Sequence, residues 1–525
     1  MKHILPFLFL LLTPLIVVAQ VTQYADGVQL VELAVTPQKV PVPALKYKLT
    51  WGFDQRVKNN AAIQYNSAMR ALHELKLWYL SVESQKFEED YRRLFTDSEF
   101  FNEKKGEHDA FEKMLQNLED DPPKSADTLL YEASLRYKAE AYADYAGKPK
   151  NEFPVEEARK FVERFYYAYR HLKSGSRCDV CDWEYPIRGN RDILAMLLPE
   201  MQDARDLARG LAIKARVEIY DKNYDAAIET LRVGKTLARH VAEGCPVMIG
   251  NLIGISIDSI MNECLLELVQ QPDAPNLYWT LTTLPDSPAI YADSFDVEMD
   301  FLRLMFPELA RAMDDPDGMT ENDWKEFNRV LLKAISSFEN DKFVATSLIA
   351  SGWGITAYPK AKQWLASQGK TPEEIENMPV AQAIGLWSVY RYEIVRDEHL
   401  KIVRLPFWQK EKFNYDKLWN EFEVATPLDA VVRMLFPALS AYHHTICRSQ
   451  AGGDVLRIVE AIRLYAAEND GKLPETLDAI LSVPIPPVDP FTGKPYTYRI
   501  ENGRAVIEYN PGYCICRTVV TVNDK

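Results

Sequence analysis

The chain has 525 residues, of which 61 are Lys or Arg and 76 Asp or Glu, for a formal charge of −15 at pH 7. Its basic residues are scattered and form no cluster that would hold a phosphate backbone, which argues against nucleic acid as a partner. A hydrophobic fraction of 47% with 11% aromatics excludes global disorder, and at about 150 residues per domain the length allows around three domains or one large body with an appendage.

Residues 1–19 carry Lys2 and His3, an apolar run from Ile4 to Val18, and Val17-Val18-Ala19 with small residues at the −3 and −1 positions. This reads as a signal peptide cleaved before Gln20, placing the mature chain in the periplasm or outside the cell. The apolar run contains Pro6 and Pro14 and is shorter than the roughly 20 residues of a comfortable membrane span, so a retained anchor is the weaker reading. Residues 20–60, with Pro37, Pro41 and Pro43, read as an irregular, extended lead-in.

Helical periodicity then begins with Tyr65, Met69 and Leu72 and runs to a break at Asp120-Asp121-Pro122-Pro123. A second helical block covers about 125–173 and ends at Ser174-Gly175-Ser176, just before Cys178-Asp179-Val180-Cys181. The third, about 191–270, contains a helix pair. Ala208, Ala212, Ala215 and Ile219 give its first helix a face of mostly small side chains. Tyr224 packs at the bend, Ala227 lies where the helices touch, and Leu231 follows one turn later. The apolar stretch Val247 to Val269 is interrupted by Asn251, Asp258, Asn262, Glu263 and Glu267, and reads as a helix inside a core.

Further helices are expected at 297–312, 320–340, 341–367 and 372–400. Thr320 with Asp323, and Thr371-Pro372-Glu373-Glu374, supply caps and first-turn acids. After about residue 450, Val455, Ile458, Val459, Ile462 and Tyr465 form the apolar face of a last helix stopped by Asn469-Asp470-Gly471. A Pro-rich connector leads to two alternating runs around Asn502-Gly503, the signature of a two-residue hairpin turn. That turn pairs Ile500 with Ala505, Tyr498 with Ile507 and Tyr496 with Tyr509, all on one face. Cys514 and Cys516 are expected on one face of a third strand ending in Val519-Val520. The fold class is mainly α: a helical body over 20–449 with a repeat-like helical hairpin, and a small α+β domain over 450–525.

Seven cysteines in an exported chain permit disulfides but are too sparse for a fold that depends on them. Cys178 and Cys181 admit three readings: a redox pair, a local disulfide, or half of a zinc site completed by Cys514 and Cys516. A loop between helices is the wrong setting for a low-pKa redox motif, and inert thiols are favoured. His443-His444-Thr445-Ile446-Cys447 places two donors at i, i+4, with no further partner at a diagnostic spacing. Ala366-Ser367-Gln368-Gly369-Lys370-Thr371 ends like a phosphate loop, but Trp364 occupies the position of its first glycine, so no nucleotide is expected. Asp314-Asp315-Pro316-Asp317-Gly318 lacks the flanking acids of a calcium loop and reads as a turn. No H-E-x-x-H or G-x-S-x-G occurs. No cofactor or resident metal is expected.

Pro43-Ala44-Leu45-Lys46-Tyr47, Phe153-Pro154-Val155-Glu156-Glu157-Ala158-Arg159, Cys181-Asp182-Trp183, Tyr358-Pro359-Lys360-Ala361-Lys362 and Met378-Pro379-Val380-Ala381-Gln382 together resemble a family of exported planctomycete proteins with no assigned activity. That resemblance implies export and a mostly helical fold, and brings no catalytic residues. Leu207 to Val241 resembles a single tetratricopeptide unit through Ala215, Tyr224, Ala227 and Leu231. Glu218 and Arg239 depart from its aromatic and proline positions, and no 34-residue array follows. The segment 454–500 is similar to the soluble part of type II secretion pseudopilins through Leu464-Tyr465, Asn469, Gly471, Leu473-Pro474, Leu477, Asp489-Pro490, Gly493, Pro495-Tyr496 and Tyr498, which implies a fold and not a role in a pilus.

The functional expectation is an exported scaffold or binding protein with a protein partner in the cell envelope. The alternative is an envelope hydrolase, acting on glycans, whose carboxylates the sequence does not single out. A deep cleft with two carboxylates of raised pKa would mark the enzyme, and a broad, shallow, apolar groove the binding protein.

Overall fold

The structure is a computed structural model that describes residues 28–96, 145–185, 199–245, 247–285, 306–338, 343–410, 422–435, 437–512 and 514–523, with 23–25 and a few isolated positions at 297–304 and 413. The signal segment 1–19 with its cleavage before Gln20, and the break at 120–123, lie outside the described residues.

The fold is mainly helical with a small sheet that the C-terminal strands dominate. Along the chain run β1 (Gln23–Ala25), β2 (Val28–Val35), β3 (Val57–Asn60), α1 (Ala61–Thr96), α2 (Val155–Ser176), β4 (Cys178–Val180), α3 (Pro199–Tyr220), α4 (Tyr224–Gly244), α5 (Met248–Val269), α6 (Glu321–Phe338), α7 (Phe343–Ser367), α8 (Val380–Val403), α9 (Pro427–Leu435), α10 (Pro437–Glu468), β5 (Thr497–Glu501), β6 (Arg504–Tyr509) and β7 (Ile515–Val522). Among the described residues, no helix is long and apolar enough to cross a membrane.

Small residues set the spacing of the central helices. Ala208, Ala212 and Ala215 are buried on α3, and Ala227, Leu231 and Ala238 on α4. A Cβ on Gly210 would sit 2.6 Å from the Phe165 ring of α2, and one on Gly254 of α5 would sit 2.7 Å from the Ala238 carbonyl of α4. The α3 backbone therefore packs directly on the Phe165 ring, and α4 and α5 meet nearly backbone to backbone, which a larger side chain would forbid. The turn between α3 and α4 is tight because Lys222 adopts a left-handed φ of 58° and the Asn223 side chain accepts from the Ala226 N–H to cap α4.

The helix expected over 372–400 is two. A short helix, Pro372–Asn377, is separated from α8 by Met378-Pro379, where the residue before proline is held extended. Thr371 and Glu374 form the reciprocal cap read from the sequence.

The sheet has the order β1-β2-β7-β6-β5. Tyr498 opposes Ile507 and Ile500 opposes Ala505, with Asn502 and Gly503 both left-handed between them, so the expected hairpin register holds. Ala505, Ile507 and Val520 fill the inner face, while Arg499 and Arg517 both pair with Glu508 on the outer one.

One expectation needs correction. Residues 28–35, read as part of an irregular lead-in, form β2 and pair in parallel with β7 from Val28↔Ile515 to Val35↔Val522. Apolar residues on both sides of β2 hide the alternation, and its partner lies at the far end of the chain, so no local pattern announces it. The helix read from Val455 to Tyr465 is the last part of α10, which runs unbroken from Pro437 to Glu468. Residues 450–525 thus share their longest helix with the body and their sheet with the N-terminal segment. One core cluster extends from Leu33 through the helices to Val520. Within α10, Glu460 and Arg463 pair at 2.9 Å with both side chains fully buried. Arg463 also donates to the Thr36 and Ala274 carbonyls, and Glu460 accepts from the Leu277 N–H, so this pair joins the end of β2, the loop after α5 and α10.

Candidate functional site

The Cys-x-x-Cys lies beside the helix pair and is closed to solvent. Cys178 is in β4, which pairs in parallel with β3, and Asn60 clamps the following loop by bonding Asp182 through both its side-chain atoms. Tyr65 of α1 shares a 2.8 Å hydrogen bond with His240 Nδ1 of α4 and stacks on Trp183. Gly175 and Gly244 make room: a Cβ on the first would strike the Tyr65 ring at 2.7 Å, and on the second the Cys181 carbonyl at 2.5 Å.

Burial pushes both thiols up, Cys181 far above its ordinary range. Burial, helped by the Arg239 guanidinium, pulls His240 down to about 3. Thiols and imidazole are therefore all neutral near pH 7, with neither a thiolate nor an accessible base. Cys178 and Cys181 stand as free thiols in the structure, as do the other five cysteines. Cys178 and Cys181 lie beside Tyr65, and Cys178 also beside His240, whereas Cys516 lies across from Tyr509 in the sheet. Among the described residues, no group of three or more His, Cys, Asp or Glu could hold a metal ion.

The remaining sequence candidates are also accounted for by packing. His443 is buried edge-on against Phe407, His444 bonds the Pro511 carbonyl, and Cys447 packs beside Phe491. Of the acids around Gly318, Asp315 accepts from the Gly318 N–H, Asp314 pairs with Arg303 and Asp323 with Arg311. Lys370, at the end of the phosphate-loop lookalike, reaches Glu374 of the helix cap at 3.9 Å.

A groove of about 390 Å³ opens at the tight end of the α3–α4 hairpin. Its walls come from three separate segments: the strap Gln38 to Pro41 with Tyr47, the turn Lys222 to Asp225, and the loop at Asp273 and Pro275. Each wall is pinned. The Gln38 N–H donates to the Arg463 carbonyl, Asn276 to the Gln38 carbonyl, and Thr280 to the Tyr47 carbonyl, while the Asn223 N–H donates to the Glu218 carbonyl.

The groove's charged side chains are not used internally among the described residues. Lys39, Lys222, Asp225 and Asp273 form no ion pair among the described residues. The Tyr224 hydroxyl is buried with no hydrogen-bond partner among the described residues, and burial, reinforced by the Asp273 carboxylate, raises its pKa. The lining is predominantly polar, unlike the apolar groove expected of a binding protein. Sequence reasoning found Tyr224 as a packing residue and missed the rest, since only the fold brings residues 38–47, 222–225 and 273–275 together.

No protein-family model, no curated protein and no solved structure matches this chain.

Proposed function

We propose that the chain is an exported binding or scaffold protein of the cell envelope, and that it meets a protein partner at the groove beside the α3–α4 turn. The observation that carries this reading is the set of charges there: two lysines and two aspartates line one pinned concavity and form no ion pair among the described residues. Side chains of both signs suit a polypeptide segment that carries both signs itself, and complementary charge fixes partner choice and approach.

The test is capture from an envelope extract by the folded chain, compared with an Asp225→Lys, Asp273→Lys variant of equal melting temperature. Wild type should retain a defined partner that the variant loses, with capture by wild type weakening as salt rises. Equal capture by both chains would refute the groove as the contact. Turnover of a glycan substrate, abolished by Asp225→Asn or Asp273→Asn at unchanged stability, would replace the binding reading with the hydrolase one.

A further inference from the structure

Cys514 and Cys516 make a constellation of their own. Cys516 lies in β7 opposite Tyr509, and Cys514 just ahead of the strand, so both sulfurs emerge on the same side and stand 4.0 Å apart. Cys516 is buried and Cys514 half-buried. The Gln29 side-chain oxygen lies 3.7 Å from the Cys516 sulfur and accepts from the Arg448 guanidinium at 2.7 Å.

We propose that Cys514 and Cys516 form a two-coordinate site for a soft monovalent cation, Cu(I). Thiolate ligands select this ion over harder ones. At about 2.3 Å per metal–sulfur bond, a linear arrangement spans at most about 4.6 Å, so sulfurs already 4.0 Å apart need only a small adjustment. Zinc is poorly served, since it requires four ligands and no third donor joins the pair among the described residues. A disulfide is also disfavoured. Residues i and i+2 of an extended strand are about 6.6 Å apart, at the upper end of the Cα separations that a disulfide bridges.

On binding, each thiol releases its proton to solvent and forms one sulfur–copper bond, with no change of oxidation state. The product carries one net negative charge, which the Arg448 guanidinium offsets through Gln29. Because each thiol must lose its proton to bind the ion, binding strengthens as pH rises.

The experiment is an anaerobic titration of the reduced full chain with Cu(I) held by a coloured chelator. Wild type should draw one equivalent from the chelator and show sulfur-to-copper absorption in the ultraviolet. Cys514→Ser should lose that equivalent, and Cys178→Ser should keep it. Alkylation mapped by mass spectrometry gives a second readout independent of any variant's folding: Cu(I) should protect Cys514 and Cys516 and leave the other five thiols unchanged. Failure of wild type to compete for Cu(I), full binding by Cys514→Ser, protection of a different cysteine pair, or displacement of Cu(I) by Zn(II) would each overturn the proposal.

Discussion

Replacing Gly254 by Ala adds one methyl group where α4 and α5 are closest. That Cβ would lie 2.7 Å from the Ala238 carbonyl oxygen and 2.8 Å from the Ala242 Cβ. Carbon atoms pack best at about 3.5–4.0 Å, and neither obstacle can turn aside, because one is backbone and the other has no rotamer. The helices must separate, which costs about 1–3 kcal/mol as overpacking. Alanine returns about 1 kcal/mol through its better helix propensity, so the net effect is a loss of up to about 2 kcal/mol. Gly453 of α10 is the internal control, because a Cβ there meets nothing within 4 Å. Gly453→Ala should stabilise by about 0.4–1 kcal/mol. Urea unfolding of the three chains reads the effect as opposite shifts of midpoint at a common slope. A stabilising Gly254→Ala, equal to the control, would show that α4 and α5 are not in contact at this spacing.

Acid should weaken the fold through its buried histidines. Burial lowers His240 and His443 to about 3 and His399 to about 4. The unfolded forms take up a proton near pH 6.5 and the folded ones do not, so this stability is complete above pH 6.5 and is lost as pH falls towards 3. At pH 5 each such histidine costs about 2 kcal/mol. Buried Glu460, Asp429 and Asp489, with raised values, act in the opposite sense, so the effect is best isolated by difference. His240→Gln should shrink the stability gap between pH 7 and pH 5 by about 2 kcal/mol, and an unchanged gap in equilibrium unfolding would contradict the neutral, buried imidazole. Glu460→Gln keeps the shape and an acceptor for Leu277 but leaves Arg463 charged, buried and uncompensated, at a cost of about 3–5 kcal/mol. A melting curve within error of wild type would show that solvent reaches this pair.

What could be read along the chain was whatever a few neighbouring residues settle among themselves. The Thr371–Glu374 cap, the Asn502-Gly503 turn with its register, the stop at Asp470-Gly471, and the small-residue face of α3 all depend on backbone geometry or side-chain size within one or two turns. Those signals reveal a mainly helical chain with a hairpin near its end. The closure of the sheet was different in kind: Gln29 and Cys516 meet across 487 residues of sequence, and a parallel pairing over that distance leaves no mark on either strand alone. The groove has the same origin, since Lys39, Lys222 and Asp273 look like ordinary solvated charges until the strap, the turn and the loop are drawn together by the hydrogen bonds around α10. Cys178 and Cys181, conspicuous by spacing, become inert because burial keeps their protons on. Local geometry is encoded locally, whereas ionisation, charge pairing and concavity are properties of the packed assembly, because each depends on how much water and which distant groups the tertiary fold leaves beside a side chain.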